Sequence, residues 1–486
     1  EVVCLESDLQ DGRMMEVEVG HHGVLLTRSG GKYSAIGNQC THYGAPLSKF
    51  ILGNRVRCPW HGSCFNVHTG DLEEYPGIDC LPCHKVHIQD SKVYVSINKK
   101  EKRIKRMGTA VPGVTHTVLL LGGAASLSCA ETLRQENFGG RIIMVTREDL
   151  LPYDKTRLSK VMNVESDSIL MRRMEFFHQY DIEVWLRKEA LSVDTDKKTV
   201  TLDDGSVQSY DQLLISTGCA KGLDVPGMNL GNIKMLETPE DARQIHAACT
   251  GSDVVLVGTS FVMEVASYLT DKASSITVIG SSEMPYQNTL GPEIGKLTMT
   301  MLIERNVKFY MNDSVTEIRG VNGKVKEVVL KSGKVIPAEV LIVGILQYMH
   351  TNVPDVFCGG DLAMFPLAIA KNRMVNIGHW QMAQAQRIVA LNMLNKTTEL
   401  NSVPFYWTVL VGKTIRYTYG EGYTELVIKG QFEDRKFLAL YIDEEVIAAA
   451  GLNFDPAVSA VAERLATGKV ITKDEASDDL SWLQLS

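Results

Sequence analysis

The chain has no apolar run near the eighteen or so residues that a membrane-crossing helix needs; the longest candidates, TVLLLGGAA and EVLIVGIL, stop well short. It has no surplus of positive charge: 58 acidic against 50 basic side chains leave a net charge of -8, which argues against nucleic acid and other polyanions as partners. Ten cysteines in 486 residues are too sparse for a disulfide scaffold. The two that matter most stand beside histidines, so a soluble protein of a reducing interior, cytoplasmic or mitochondrial, is expected. There is no Met at position 1; Glu1 leaves a removed targeting segment open.

What is there is enough chain for about three domains. Residues 1–98 carry short alternating segments such as MMEVEVG and SKVYVSI between Gly and Asp turns, which predicts a small all-β domain. KKEKRIKR, residues 99–106, reads as a solvated linker, or more sharply as a docking patch for an acidic partner. After Gly108, Pro112 and Gly113 the order becomes buried strand, Gly-rich turn, helix, strand, first from His116 and again from Ser252. Each copy is followed by hairpins and a closing apolar strand, so two nucleotide-binding domains are expected. From about Ser402, ELVIKGQF, KFLALYI and the Ala-rich AVSAVAERLAT predict an α+β domain.

CTHYGAPL and CPWHGSCF place Cys40, His42, Cys58 and His61 in two short loops. Thiolates with neutral imidazoles suit zinc and iron-sulfur clusters alike. Both loops, with Gly44, Pro59, Gly62 and Ser63, resemble the Rieske family, in which two cysteines hold one iron of a [2Fe-2S] cluster and two histidines the other. Ala45 and Trp60 stand where high-potential members carry an extra disulfide, and Phe65 where they carry a tyrosine donor. That resemblance implies a potential low in the Rieske range of about -150 to +300 mV. CLPCH, residues 80–84, matches the haem-attachment pattern formally but sits in a predicted strand pair and reads as packed thiols, as does Cys64.

Gly122, Gly123 and Ala125 open the first nucleotide turn, shorter by a residue than Gly-x-Gly-x-x-Gly, and Glu148 ends the second strand where a ribose needs an acceptor. TNVPDVFCGGD, ending in Asp361, resembles the second FAD fingerprint of two-dinucleotide-binding flavoproteins; YDQLLISTG, with Thr217 and Gly218, resembles their connecting strand. LPYDKTRLSK resembles the element that carries a flavin-side lysine, here Lys160, although Lys155 and Thr156 replace an Arg-Pro pair. VNIGHWQMAQAQ and VPFYWT complete a resemblance to apoptosis-inducing-factor-like flavoproteins with an N-terminal Rieske domain. They are ferredoxin-reductase-like members of the FAD-dependent pyridine nucleotide-disulfide oxidoreductases. It implies His379 and Trp380 near the isoalloxazine, Trp380 being equally a core filler. The second turn keeps Gly258 but has Ser260 for the second glycine and lacks the third, before Met263; Glu264 matches the glutamate near the nicotinamide, and Gly280, Ser281 and Ser282 leave NADH and NADPH both open. No Cys-x4-Cys pair follows the first helix.

The resemblance implies a multidomain fold: an all-β Rieske domain (1–98), a basic linker (99–115), two Rossmann-like α/β (ββα-type) domains for FAD (116–236 and 345–400) and NAD(P) (237–344), and an α+β C-terminal domain (401–486). Its cofactors are a [2Fe-2S] cluster, FAD and NADH or NADPH; Lys160 and Glu264 are the candidate catalytic pair. Hydride from NAD(P)H to FAD, then single electrons to the cluster and to an unidentified acceptor, is the expected function, with a link to apoptosis implied by the family. One departure favours an alternative. The family carries some thirty more residues at VGILQYMHTNVPD, and the six from Ile345 to His350 span only about 20 Å extended, so a non-catalytic interaction or signalling protein on a degraded reductase scaffold is the second reading. A Rieske oxygenase lacks its closely spaced two-His-carboxylate set among His116, His178, His246, His350 and His379; a sirohaem nitrite reductase lacks its cysteine clusters.

Overall fold

The structure, a computed structural model, describes residues 1–98, 104–218, 220–346 and 351–484. The basic residues at 99–103 and the shortened stretch at 347–350, with His350, lie outside the described residues.

The N-terminal alternation folds as a six-stranded antiparallel sheet in the order Val2–Leu5, Lys92–Ser96, Cys83–Gln89, Lys32–Gly37, His22–Ser29, Arg13–Val19. A second sheet of four short strands, Ile51–Leu52, Arg55–Arg57, Cys64–Asn66 and Leu72–Glu74, carries the metal-type loops: Cys40 and His42 lie just before it, Cys58 and His61 within its second turn. Both loops need a glycine in the left-handed region, Gly44 at φ 75 and Gly62 at φ 83. Cys80 and Leu81 are buried and Cys83 begins a strand, so the CLPCH stretch is part of the sheet packing.

The first Rossmann unit has five parallel strands in the order Ile182–Trp185, Arg141–Val145, Thr117–Gly122, Gln212–Ser216, Val356–Cys358, with the helix Ala124–Gln135 after the Gly turn. The second has Ile233–Lys234, Val340–Val343, Asp253–Val257, Ser275–Ile279, Val307–Tyr310, again all parallel, with the helix Phe261–Leu269. Each has its three-stranded antiparallel appendage, as the hairpin patterns require. The edge strand Ile233–Lys234 pairs with Leu341 and Ile342, so the second sheet begins before the boundary drawn at 237; two residues are too few for periodicity to mark a strand. Residues 104–111 pack on the first unit rather than hang free: Ile104 and Met107 join its core, and Gly108 N–H donates to Arg134 O.

The C-terminal part is a five-stranded antiparallel sheet, Phe405–Leu410, Lys413–Thr418, Glu445–Leu452, Lys436–Asp443, Glu425–Gln431, covered by the helix Ala457–Ala466. Hydrophobic burial does not stop at domain edges. One core holds Cys40, Leu47, Cys58, Phe65 and Leu81 of the N-terminal domain together with Trp380 and Ala383 of the helix His379–Met393.

Candidate cluster and flavin site

Cys40 and Cys58 are buried, unpaired in any disulfide, and hydrogen-bonded neighbours. That bond, aided by His42 N–H and the Ser63 hydroxyl, pulls the Cys40 thiol down to about 6 against its burial; the same bond and burial push Cys58 up, although His61 and Trp60 N–H groups donate to it. The His42 and His61 rings lie 5.0 Å apart, edge to face. Both nitrogens of His42 are buried without a hydrogen bond, and burial pushes His61 down to about 2, which keeps its imidazole neutral as a ligand must be. Among the described residues no three His, Cys, Asp or Glu side chains converge on one point as a mononuclear ion requires, whereas a two-iron cluster takes its ligands as two separated pairs.

The histidine edge faces into the protein. His61 lies 4.4 Å from the Trp407 ring, and His42 lies 5.6 Å from Trp380 and 5.8 Å from Trp407. Tyr43 stacks on His42 at 3.9 Å and donates its hydroxyl to Asp154 at 3.1 Å; Arg157 covers its other side. Asp154 also lies 3.6 Å from His42 Nε2, too far for a hydrogen bond. Burial would lift this carboxyl, but His42, His379 and Thr156 hold it well below the usual carboxylate range.

On the reductase side, Gly122 has φ 131 and a Cβ there would lie 2.1 Å from Ser216 O, so the turn tolerates only glycine. Gly123 opens the helix Ala124–Gln135 with nothing near its face, and a Cβ at Gly360 would lie 3.4 Å from Ala125 Cβ, so both FAD-type fingerprints meet at one helix N-terminus. Thr217 is exposed at the strand end and Gly218, at φ 89, has open space beside it; Glu148 is half-buried near Tyr153. Asp361 Oδ1, His379 Nε2 and Trp380 Nε1 are all buried without a partner, and burial lowers His379. Three orphaned polar atoms in one wall are what a polar cofactor would satisfy.

Lys160 Nζ is 3.0 Å from Glu264 and 5.9 Å from the Trp407 ring. Glu264, nearly fully buried, also accepts from the Ser159 hydroxyl and Val409 N–H. Gly258 is again obligatory, φ 128 with an added Cβ lying 2.8 Å from Gly344 O, while Ser260 is exposed at the helix start and its side chain accepts no capping hydrogen bond. Gly280 is closed over by Thr259 and Met311.

Two family models match: a Rieske [2Fe-2S] domain over residues 1–85 and a pyridine nucleotide-disulphide oxidoreductase over residues 116–345. Apoptosis-inducing factor 3 of Homo sapiens is 44% identical over 529 aligned positions, taking in 99% of this chain and 87% of that protein. The chain belongs to the apoptosis-inducing factor 3 family. Its aligned span exceeds the 486 residues of the chain, as it must where the human member carries segments that this one lacks. Rubredoxin-NAD(+) reductase of Pseudomonas putida is 28% identical over 69% of this chain and 95% of its own length. A ferredoxin reductase from Rhodopseudomonas palustris shares the fold at a TM-score of 0.70 and 23% identity, over 76% of this chain and 99% of that one.

The apoptosis-inducing factor 3 family thus joins a Rieske domain to a flavin oxidoreductase, with a [2Fe-2S] cluster, FAD and NAD(P)H as its cofactors. The paired thiols, the neutral His61 imidazole, the unpartnered His42 ring and the orphaned polar atoms fit the first two groups. Several residues of the site escaped sequence reasoning. Asp154 and Trp407 lie inside quoted motifs but bear no local sign of facing a histidine, and Tyr43 reads as an ordinary loop residue. No described helix is long and apolar enough to cross a membrane.

Proposed function

We propose that the chain is an NAD(P)H-dependent FAD oxidoreductase that delivers electrons to its own Rieske cluster and from there to a separate acceptor. One observation carries the reading: His42 packs edge-on against Trp380 and Trp407, His61 lies against Trp407, and these two tryptophans also line the Lys160 and His379 side of the flavin region. When bound, NAD(P)H supplies hydride to FAD and the cluster accepts electrons singly. Cys40, His42, Cys58 and His61 would hold the cluster; Gly122, Gly123, Ala125, Glu148, Thr217, Gly218, Asp361 and Trp380 the FAD; Gly258 and Ser260 the nicotinamide nucleotide. Lys160 offers a fixed positive charge in a mostly dry site, and Glu264, held by Ser159 and Val409, keeps that ammonium in place. A role in apoptosis, carried by the relatives' name, belongs to the same proposal.

The test is anaerobic addition of NADH to the purified protein, followed by absorbance and EPR. Flavin bleaching together with a reduced-cluster signal is expected; bleaching with a silent cluster overturns internal transfer. No change in either, with both cofactors present, supports the second reading, a non-catalytic interaction protein, which the exposed Ser260 in the nucleotide turn and the shortened span favour.

A further inference from the structure

The C-terminal sheet and helix grip the second cluster loop by its backbone. Ser459 Oγ donates to Cys58 O at 3.0 Å, Arg416 Nε donates to Trp60 O at 2.8 Å, and Phe405 packs so closely on Gly62 that a Cβ there would lie 2.5 Å from its ring. Arg57, bonded to Glu463 of the helix Ala457–Ala466 at 2.8 Å, donates to Gly62 O at 3.0 Å. These contacts are not equivalent. The carbonyl of Cys58 belongs to the peptide before Pro59, which has no N–H to pass polarisation onward, and it keeps a second donor in Gly62 N–H at 3.1 Å. The carbonyl of Trp60 belongs to the peptide whose N–H is that of His61, and this N–H donates to Cys58 Sγ.

We infer that Arg416 is a positioning residue that raises the cluster's reduction potential through the Trp60–His61 peptide. A cationic donor on a carbonyl polarises the peptide and strengthens the bond its N–H makes. A stronger N–H bond to a ligand sulfur, with a positive charge nearby, stabilises the cluster that has gained an electron. Arg416 is well placed for both: its side chain is only 13% exposed, and its one carboxylate contact among the described residues, Asp455 at 3.1 Å, sits on the solvent side, 40% exposed. In this fused chain the reductase's own C-terminal sheet then sets how readily the cluster accepts an electron.

The inference rests on Cys58 and His61 being ligands, and full-length protein without iron and sulfide would fail that reading instead of this one. The test is an EPR-monitored redox titration of full-length variants. Arg416→Met should keep the cluster but weaken its hold on the electron about tenfold, a midpoint about 59 mV lower for a one-electron couple. Arg416→Lys should recover part of that shift, and Ser459→Ala should leave the midpoint in place. An unmoved midpoint in Arg416→Met, or an equal fall in Ser459→Ala, overturns the inference, the latter by showing general loosening of the loop. Should Arg416→Met fail to fold, Asp455→Asn decides: with the charge of Arg416 uncompensated the midpoint should rise, and a midpoint that stays or falls overturns it.

Discussion

Asp361 has one carboxylate oxygen buried without a partner and the other 4.0 Å from His379 Nδ1. Such a group is retained against a desolvation penalty of about 1–3 kcal/mol, which a cofactor hydroxyl would relieve. Asp361→Ala should therefore purify with little flavin and an unchanged Rieske spectrum, since Cys40, His42, Cys58 and His61 do not touch it; equal flavin absorbance per chain would refute its assignment. At this scale the sequence was informative where chemistry is local. Two Cys-His loops announce themselves by spacing, whereas Asp154 and Trp407, and the hydroxyl of Tyr43, acquire meaning from neighbours more than a hundred residues away.

Between elements, the charges that bind the strand Arg55–Arg57 to the helix Ala457–Ala466 form a balanced buried set. Arg55 and Arg57 face Glu74 and Glu463, and Arg57 and Glu463 are almost wholly out of solvent. Breaking one member leaves an unpaired buried charge, so Glu463→Gln should destabilise by about 3–5 kcal/mol in denaturant unfolding. Burial works against the Glu74 carboxylate, but Arg57 and Arg55 hold it below its ordinary 4.5. The unfolded chain then binds the proton more readily, so this contribution is complete above about pH 4.5 and is lost as pH falls through the lower folded value. Stability measured from pH 6 to 3 should fall less steeply in Glu74→Gln than in the parent; parallel curves would show that another group governs. The helix itself was legible from its alanine-rich pattern, but not that Glu463 on it would answer an arginine four hundred residues earlier.

For the whole molecule, the contacts that dock the Rieske domain on the FAD unit include Arg172, which bonds both Glu131 and Asp79, Gln384, which accepts from Tyr75 N–H, and Arg387, which donates to Glu73 O. Hydride transfer depends on finer geometry still, since a misplacement of about 1 Å costs on the order of 100-fold. On the proposed function, the turn at Gly258 with its exposed Ser260 and the short span after Ile345 would both act on that geometry, while Asp361 and the cluster-type residues are present. Slow flavin reduction by NAD(P)H is expected, accelerated by inserting a glycine between Val262 and Met263 together with a family-length segment after Ile345. Stopped-flow reduction of both proteins checks this; equal and rapid rates would show the departures to be harmless.

The sequence by itself determined the domain types, both Rossmann units and the pairing of Cys with His in two short loops, because strand alternation, Gly turns and loop spacing are encoded within a few residues of chain. Only the tertiary structure decided where the histidine edge points, that the boundary strand Ile233–Lys234 joins the second sheet, and that Arg416, Ser459 and Glu463 close over the loop Cys58–Gly62. The physical reason is one of range. Backbone propensity and ligand spacing act between near neighbours, while burial, charge pairing and carbonyl capture act between surfaces that meet only once separate domains have folded and packed.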